Sequence, residues 1–274
     1  MTFFKRVINI SVGGYSGSDL RVIFNVNKTT KKNSNTASVD IYNLSESTRN
    51  SIRELDSKLT LSAGYESKGG AQLIFIGDVT RVNHRKNYPD IISSIEAGDG
   101  VKNKREKRQN FSYEEGTSVN DVLSNVAGAL GLSLRELPSG IEGEYIQGFS
   151  YVGSVSDALD KVTKKAGLEW SIQNEELQII KKNDGFDSSP LSISFLDGLL
   201  EDPERLNDIK SDLTEDLTRP GFRVKTLLNP QIEPGGKVVL VDGQAPGLYR
   251  VEQVNHSGDN FDGDFVSEFV LGEI

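Results

Sequence analysis

The sequence holds no cysteine, and only one Met, one Trp and two His among its 274 residues. Without cysteine there is no disulfide, no thiolate zinc site and no cysteine nucleophile, a composition that favours folding in a reducing cytoplasm. No apolar run approaches the roughly 18 residues that a membrane span needs, so none is expected. The first ten residues carry Lys5 and Arg6 inside a short apolar segment without a small-residue cleavage site, and no signal peptide is expected either. Positive charge is in short supply: 31 Lys and Arg stand against 40 Asp and Glu, a formal net charge of -9. That balance argues against a general nucleic-acid binder, whose affinity for phosphate rests on clustered cations. An acidic surface repels DNA, which is useful only where DNA must pass without sticking. Catalytic signatures are absent too: there is no Gly-x-Ser-x-Gly elbow, no Gly-x-x-x-x-Gly-Lys phosphate loop and no His-Glu-x-x-His. Gly98, Asp99 and Gly100 begin like a dinucleotide loop, but Asn103 stands where the third glycine belongs.

What the sequence does contain is a long-range echo. Val79, Val82, Asn83 and His84 recur as Val251, Val254, Asn255 and His256 in the frame Val-x-x-Val-Asn-His, and these are the only two histidines. Upstream, Leu59, Leu61 and Gly64 answer to Val238, Leu240 and Gly243; downstream, Ser93, Ile95 and Gly98 answer to Ser267, Phe269 and Gly272. Apolar residues alternate at the strand period, with Gly, Pro, Asn and Asp between the runs, so each copy reads as a three-stranded antiparallel meander. Because the two histidines occupy equivalent strand positions, they read as repeated structural residues rather than as one catalytic base.

The rest of the chain falls into three stretches. Phe3–Val12, Leu20–Val26 and Ala37–Ile41 read as strands, Lys28–Asn35 as an exposed basic loop, and Ser45 as the N-cap of a short helix through Leu55. Residues 1–100 thus form a first small β-barrel or sandwich with a helix laid across it. Lys102–Arg108 is the one dense basic run. It reads as a solvated connecting strand, with contact to nucleic acid or an acidic neighbour as the other reading. Residues 101–186 contain a second repeat, in which Ser118, Val119, Asp121, Leu123, Val126 and Gly131 recur as Ser154, Val155, Asp157, Leu159, Val162 and Gly167. Each copy is a helix capped by Ser, ended by a left-handed Gly and followed by a strand, an α+β module. Phe195–Leu217 is acidic and reads as an exposed connector or weak helices. Residues 187–274 carry the second meander, with strands from the middle region as a possible complement.

Candidates for chemistry are sparse. Glu114 and Glu115 are an acid pair of the type that glycoside hydrolysis uses, though acidic pairs are plentiful here. Trp170 suits a sugar-stacking role or, on its alternating strand, a core position. Asp259, Asn260, Asp262 and Asp264 make an oxygen-rich turn, but Phe261 occupies a place that a calcium loop gives to a ligand. No catalytic, cofactor-binding or metal residue is assigned.

Several phrases resemble a known family. Asn35–Leu44, Leu61–Tyr65 (Leu-Ser-Ala-Gly-Tyr), Ile74–Val79, Ile95–Gly100, Leu228–Pro230 and Gly247–Val251 (Gly-Leu-Tyr-Arg-Val) are similar to the central hub proteins of phage baseplates, the late-control protein D group and the N-terminal part of type VI secretion spike proteins. The resemblance implies a mainly β protein with two tail-tube-like β-barrels flanking the α+β module, a homotrimer and no catalytic residues. It further implies a tail tube or distal tube-ring protein, a trimeric spike on a separate chain and surrounding baseplate proteins as partners, in a virion assembled in the host cytoplasm. Three chains with two similar barrels each present six in a ring, so a threefold object can face a sixfold tube and DNA can pass through. A tail-associated cell-wall hydrolase and a carbohydrate- or receptor-binding module are the alternatives.

Overall fold

The computed structural model describes residues 5–52, 56–186, 188–210, 218–243 and 246–274. Phe3, Phe4, the helix end at Leu55, and Asp212, Glu215 and Asp216 of the acidic stretch lie outside them.

The first stretch is built from β1 (Arg6–Val12), β2 (Tyr15–Gly17), β3 (Val22–Thr29), β4 (Thr36–Tyr42), α1 (Glu46–Ser51), β5 (Lys58–Tyr65), β6 (Gly70–Asn87) and β7 (Asp90–Gly98). Its strands form because apolar residues alternate. On β3, Val22, Phe24 and Val26 point into the core and Ile23, Asn25 and Asn27 point away. Each buried side chain of this kind contributes about 1.5–3 kcal/mol, so a one-residue slip that turned the asparagines inward forfeits several kcal/mol and the register is held. Ser45 caps α1, its hydroxyl accepting from the Thr48 N–H.

The middle stretch comprises α2 (Val101–Glu106), β8 (Arg108–Tyr113), β9 (Thr117–Ser118), α3 (Val119–Ala129), β10 (Ser133–Glu136), β11 (Glu144–Tyr145), β12 (Phe149–Ser154), α4 (Val155–Lys165), β13 (Leu168–Gln173) and β14 (Glu176–Lys181). Helices α3 and α4 bury their stripes, Val122, Leu123 and Val126 against Ala158, Leu159 and Val162, in a core that includes Trp170 and Ile179. Gly131 and Gly167 take φ of 76° and 67° where the helices stop. Ser118 caps α3 through the Asp121 N–H, but the Ser154 hydroxyl bonds to Ser156 Oγ at 2.7 Å and makes no cap bond. The basic run is not a connecting strand. Gly100, at φ 64°, turns the chain, the buried Asp78 carboxylate accepts the Lys102 N–H, and a helix, α2, begins there.

The last stretch is β15 (Leu191–Ile193), β16 (Glu204–Lys210), β17 (Thr218–Leu227), β18 (Lys237–Leu240), β19 (Gly247–Asp259) and β20 (Phe265–Glu273). The acidic segment is therefore not a plain connector: its backbone at 204–210 pairs with β17. Among the described residues β16 pairs with β17 alone, and its Glu204 and Arg205 are exposed, as charged residues on an edge strand commonly are.

Strands from both ends of the chain share one 13-stranded sheet, in the order β16-β17-β20-β19-β3-β4-β7-β6-β5-β1-β2, with β18 on β19 and β15 on β18. All its ladders are antiparallel except β15 with β18, and no pairing among the described residues closes it on itself. The junction between the two ends is β3 against β19, Ile23–Thr29 facing Asp259–Gln253. Three apolar cores follow the three stretches, Phe265 from the last one entering the core of the first.

Candidate functional site

The repeated residues occupy matching places in two ladders. β6 pairs with β7 and β19 with β20, and each ladder carries a one-residue irregularity at the same point, between Val79 and Arg81 in one and between Val251 and Gln253 in the other. A bulge bends a strand and raises its twist, so both strands change direction at the same residue of the frame. His84 Nδ1 lies 3.0 Å from Ser93 Oγ, and His256 Nδ1 lies 2.8 Å from Ser267 Oγ. Val79, Val251 and Val254 are fully buried and Val82 packs at the edge of the core.

The surroundings of the two frames differ, because β3 lies along one of them. Asn255 donates to Asn25 Oδ1 at 3.0 Å and to Asn27 Oδ1 at 2.7 Å across the β3–β19 junction, while Asn83 is exposed. His256 is 1% exposed; burial holds its pKa down at about 3, the nearby Lys28 charge acting in the same direction and a backbone bond at Ile232 opposing them. His84 is half-buried, its Nε2 lying 3.1 Å from the Arg49 carbonyl oxygen.

A second polar constellation locks the middle module onto the sheet. At the tip of the β13–β14 hairpin, Asn174 and Glu175 take φ of 54° and 65°, the left-handed pair that a two-residue hairpin turn requires. Their N–H groups donate to the two oxygens of Asp99, at 2.6 and 2.9 Å. Asp99 is fully buried; burial pushes its pKa up to about 6, against the pull of these donors and of Lys28. Lys28 Nζ donates to Asn174 Oδ1 at 3.2 Å, and Asn35 Nδ2 donates to the Ile172 carbonyl at 2.7 Å. Lys58 bridges Asp78 at 2.6 Å and Glu175. Toward the last stretch, Arg250, 1% exposed, pairs with Glu169 and Glu252, and Arg135 pairs with Glu233 at 2.7 Å. These groups bind one another; none forms a nucleophile poised against a base. Their chemistry is that of a joint.

A family model described as "Baseplate hub gp41" matches residues 4–266. The chain belongs to the baseplate hub gp41 family. This hub is a structural part of a phage tail and not an enzyme. Its fold is similar to that of a 43 kDa tail protein of prophage MuSo2 from Shewanella oneidensis, at a TM-score of 0.68 and 11% identity over 97% of the hub and 96% of that chain. It is likewise similar to the tail protein from Neisseria meningitidis MC58, at a TM-score of 0.64 and 13% identity over 98% and 97% of the two chains. A type VI secretion component of Escherichia coli, itself described as similar to T4 tail proteins gp27 and gp5, aligns at a TM-score of 0.64 and 11% identity, over 97% of the hub and 76% of that chain. No curated protein matches the hub.

The other residues singled out by sequence are scattered. Trp170 is 4% exposed, and its Nε1–H donates to Asp160 Oδ1 at 2.6 Å, with Lys104 Nζ 5.1 Å from the ring centre. Glu114 and Glu115 stand on an exposed turn. Asp259 of the oxygen-rich turn accepts from Arg21 at 2.6 Å and from the Phe261 N–H at 2.8 Å, so its oxygens serve protein donors. Among the described residues no group of three or more His, Asp or Glu is placed to hold a metal, and no helix is long and apolar enough to cross a membrane. The joint residues Lys28, Asn35, Asp99 and Arg250 escape a sequence reading. Lys28 and Asn35 sit in what reads as a basic surface loop, yet both are 1% exposed. One signal was available for Lys28: it continues the inward alternation of Val22, Phe24 and Val26.

Proposed function

We propose that this hub works as a homotrimer that adapts the sixfold tail tube to a threefold spike, seeds tube assembly and forms part of the channel through which DNA leaves. In this reading the chain divides at 1–100, 101–186 and 187–274, its ends are tail-tube-like β-barrels, and Val79, Val82, Asn83 and His84 are the structural equivalents of Val251, Val254, Asn255 and His256. The supporting observation is the shared bulge and the shared histidine–serine bond in two ladders 172 residues apart in the frame, as 251 less 79 gives. Two such units per chain make six in a trimer, so one object carries both symmetries. Its partners are a tail tube or distal ring protein, a trimeric spike on a separate chain and the surrounding baseplate proteins, which the middle module contacts; assembly takes place in the host cytoplasm. The net charge of -9 suits a channel to which DNA must not adhere.

Light scattering across a concentration series, beside negative-stain images, tests this. A species of three chains with a central hole and a pseudo-sixfold outline is expected. Association is subject to mass action, so the series is repeated with tube and spike proteins present. A hub that stays monomeric under both conditions overturns the proposal.

A further inference from the structure

The two meanders end in hairpins that can be compared tip for tip. On the first, Asn87 and Asp90 close the β6–β7 ladder, and Tyr88 stands at the turn, 98% exposed. On the second, Gly258 and Phe265 close the β19–β20 ladder, and Phe261 stands at the turn, 70% exposed. Each turn is fastened from behind by an asparagine side chain. Asn43 donates to Asp90 Oδ1 at 2.8 Å and accepts the Ile91 N–H at 3.0 Å. Asn260 accepts the Val22 N–H at 2.8 Å and donates to the Leu20 carbonyl at 2.9 Å. The backbone of each tip is thereby held while its ring stands in solvent, so little order remains to be imposed when a partner covers it.

The tips also lie on one side of the molecule. In the sheet, β3, β4 and β7 separate β19 from β6, and every ladder along that path is antiparallel. β19 and β6 therefore run the same way, and both hairpins turn at the same rim. Four strand spacings of about 4.8 Å put them roughly 19 Å apart along it.

What surrounds the two rings is opposite in sign. Tyr88 follows exposed Arg85 and Lys86, whereas Phe261 precedes exposed Asp262 and Asp264. A trimer facing a partner with six identical sites presents each kind of tip three times. A site that attracts Lys86 repels Asp262, so charge is not a recognition that all six tips can share. The exposed aromatic ring is.

We propose that Tyr88 and Phe261 are the anchors by which this hub seats on the sixfold tube, each ring filling one uncharged apolar pocket on one tube subunit. The inference rests on the trimeric adaptor reading and adds to it the residues and the chemistry of the contact. Aromatic side chains held in pockets are the groups that dominate protein interfaces. Because Tyr and Phe differ by one hydroxyl, a pocket that takes both leaves the far end of the ring open to water. A threefold spike meets each kind of tip separately and gives no reason for the two to be alike.

The test measures binding of the purified hub to the tail-tube protein and to the distal ring protein of the same phage, by co-sedimentation across a concentration series. Tyr88→Ser and Phe261→Ser, each removing three of the six anchors, should weaken binding by about tenfold or more, and the double variant should weaken it further. Tyr88→Phe and Phe261→Tyr should bind as the wild type does, and Lys86→Ser and Asp262→Ser should change binding by less than about threefold. Urea unfolding and light scattering of each variant check that fold and trimer are retained. Serine variants that bind as tightly as the wild type, or that lose a trimeric spike while keeping the tube, overturn the anchor assignment and leave the adaptor reading standing. A wild-type trimer that binds neither tube nor ring protein overturns both.

Discussion

Asp99 is a carboxylate with no exposed surface, held by the two N–H groups of the Asn174–Glu175 turn, and its charge is the part of the joint most open to a quantitative trial. Replacing it in Asp99→Asn keeps the shape and one acceptor oxygen but removes the ionisation. The native pKa is raised to about 6 from 3.8, chiefly by burial. A raised acid binds its proton more tightly in the folded state, so its stabilising contribution is complete below 3.8 and is lost as the pH rises through about 6. Integrating the linkage relation between those values, the wild type loses about 2 kcal/mol from this group on going from about pH 4.5 to 7, and the variant loses none. Set against this is a constant cost of about 1–3 kcal/mol in the variant, because its amide cannot accept both N–H groups. Urea unfolding of the two proteins in parallel isolates the difference, since every other titrating group is common to both. The variant should be the weaker protein near pH 4.5, with the gap closing or reversing by about 2 kcal/mol near pH 7. A stability difference that stays flat across that window would refute the argument that burial governs this carboxylate.

Three further outcomes are expected. With two histidines in the chain, NMR shows two imidazole signals; that of His256 should hold its position down to about pH 5, because its pKa lies near 3, and stability that depends on the neutral ring should be complete above 6.5 and fade as the pH falls toward 3. A His256 resonance that titrates near 6.5 contradicts the buried, neutral assignment. Trp170→Phe removes the 2.6 Å bond to Asp160 and should cost about 1–3 kcal/mol in chemical unfolding, while sugars added to the wild type leave the fluorescence of its single Trp unchanged; quenching by a sugar would return Trp170 to ligand binding. Gly64→Ala drives a Cβ into the Gly70 carbonyl oxygen across the β5–β6 ladder and should destabilise by about 1–3 kcal/mol in the same assay; a neutral result would show that this edge of the sheet yields easily.

Periodicity and punctuation carried much of the architecture. The alternation of Val22, Phe24 and Val26, and of Ala37, Val39 and Ile41, defines strands and their inward faces, because a strand must turn one face to the core. The stripes Val122, Leu123, Val126 and Ala158, Leu159, Val162, each ended by a glycine, define two helices and the faces they bury against one another. The alternating runs around the two Val-x-x-Val-Asn-His frames likewise read as three-stranded meanders, and β5–β6–β7 and β18–β19–β20 pair in that way. Three things needed the tertiary fold. Main-chain bonds carry no side-chain code, so nothing in the residues says that β3 meets β19 some 230 positions away, as Asn25 with Asn255 illustrates. An acidic stretch on an edge strand reads as a connector because only neighbouring strands, not its own side chains, make Glu204–Lys210 extended. A lysine looks like surface until its surroundings are known: Lys28 is buried because the hairpin bearing Asn174 closes over it, and its partners Asn174 and Asp99 come from parts of the chain that fold beside it only in three dimensions. Local pattern determines which face of each element is apolar, and the long-range pairing of edges and charges, which depends on the whole chain at once, decides how those elements are joined.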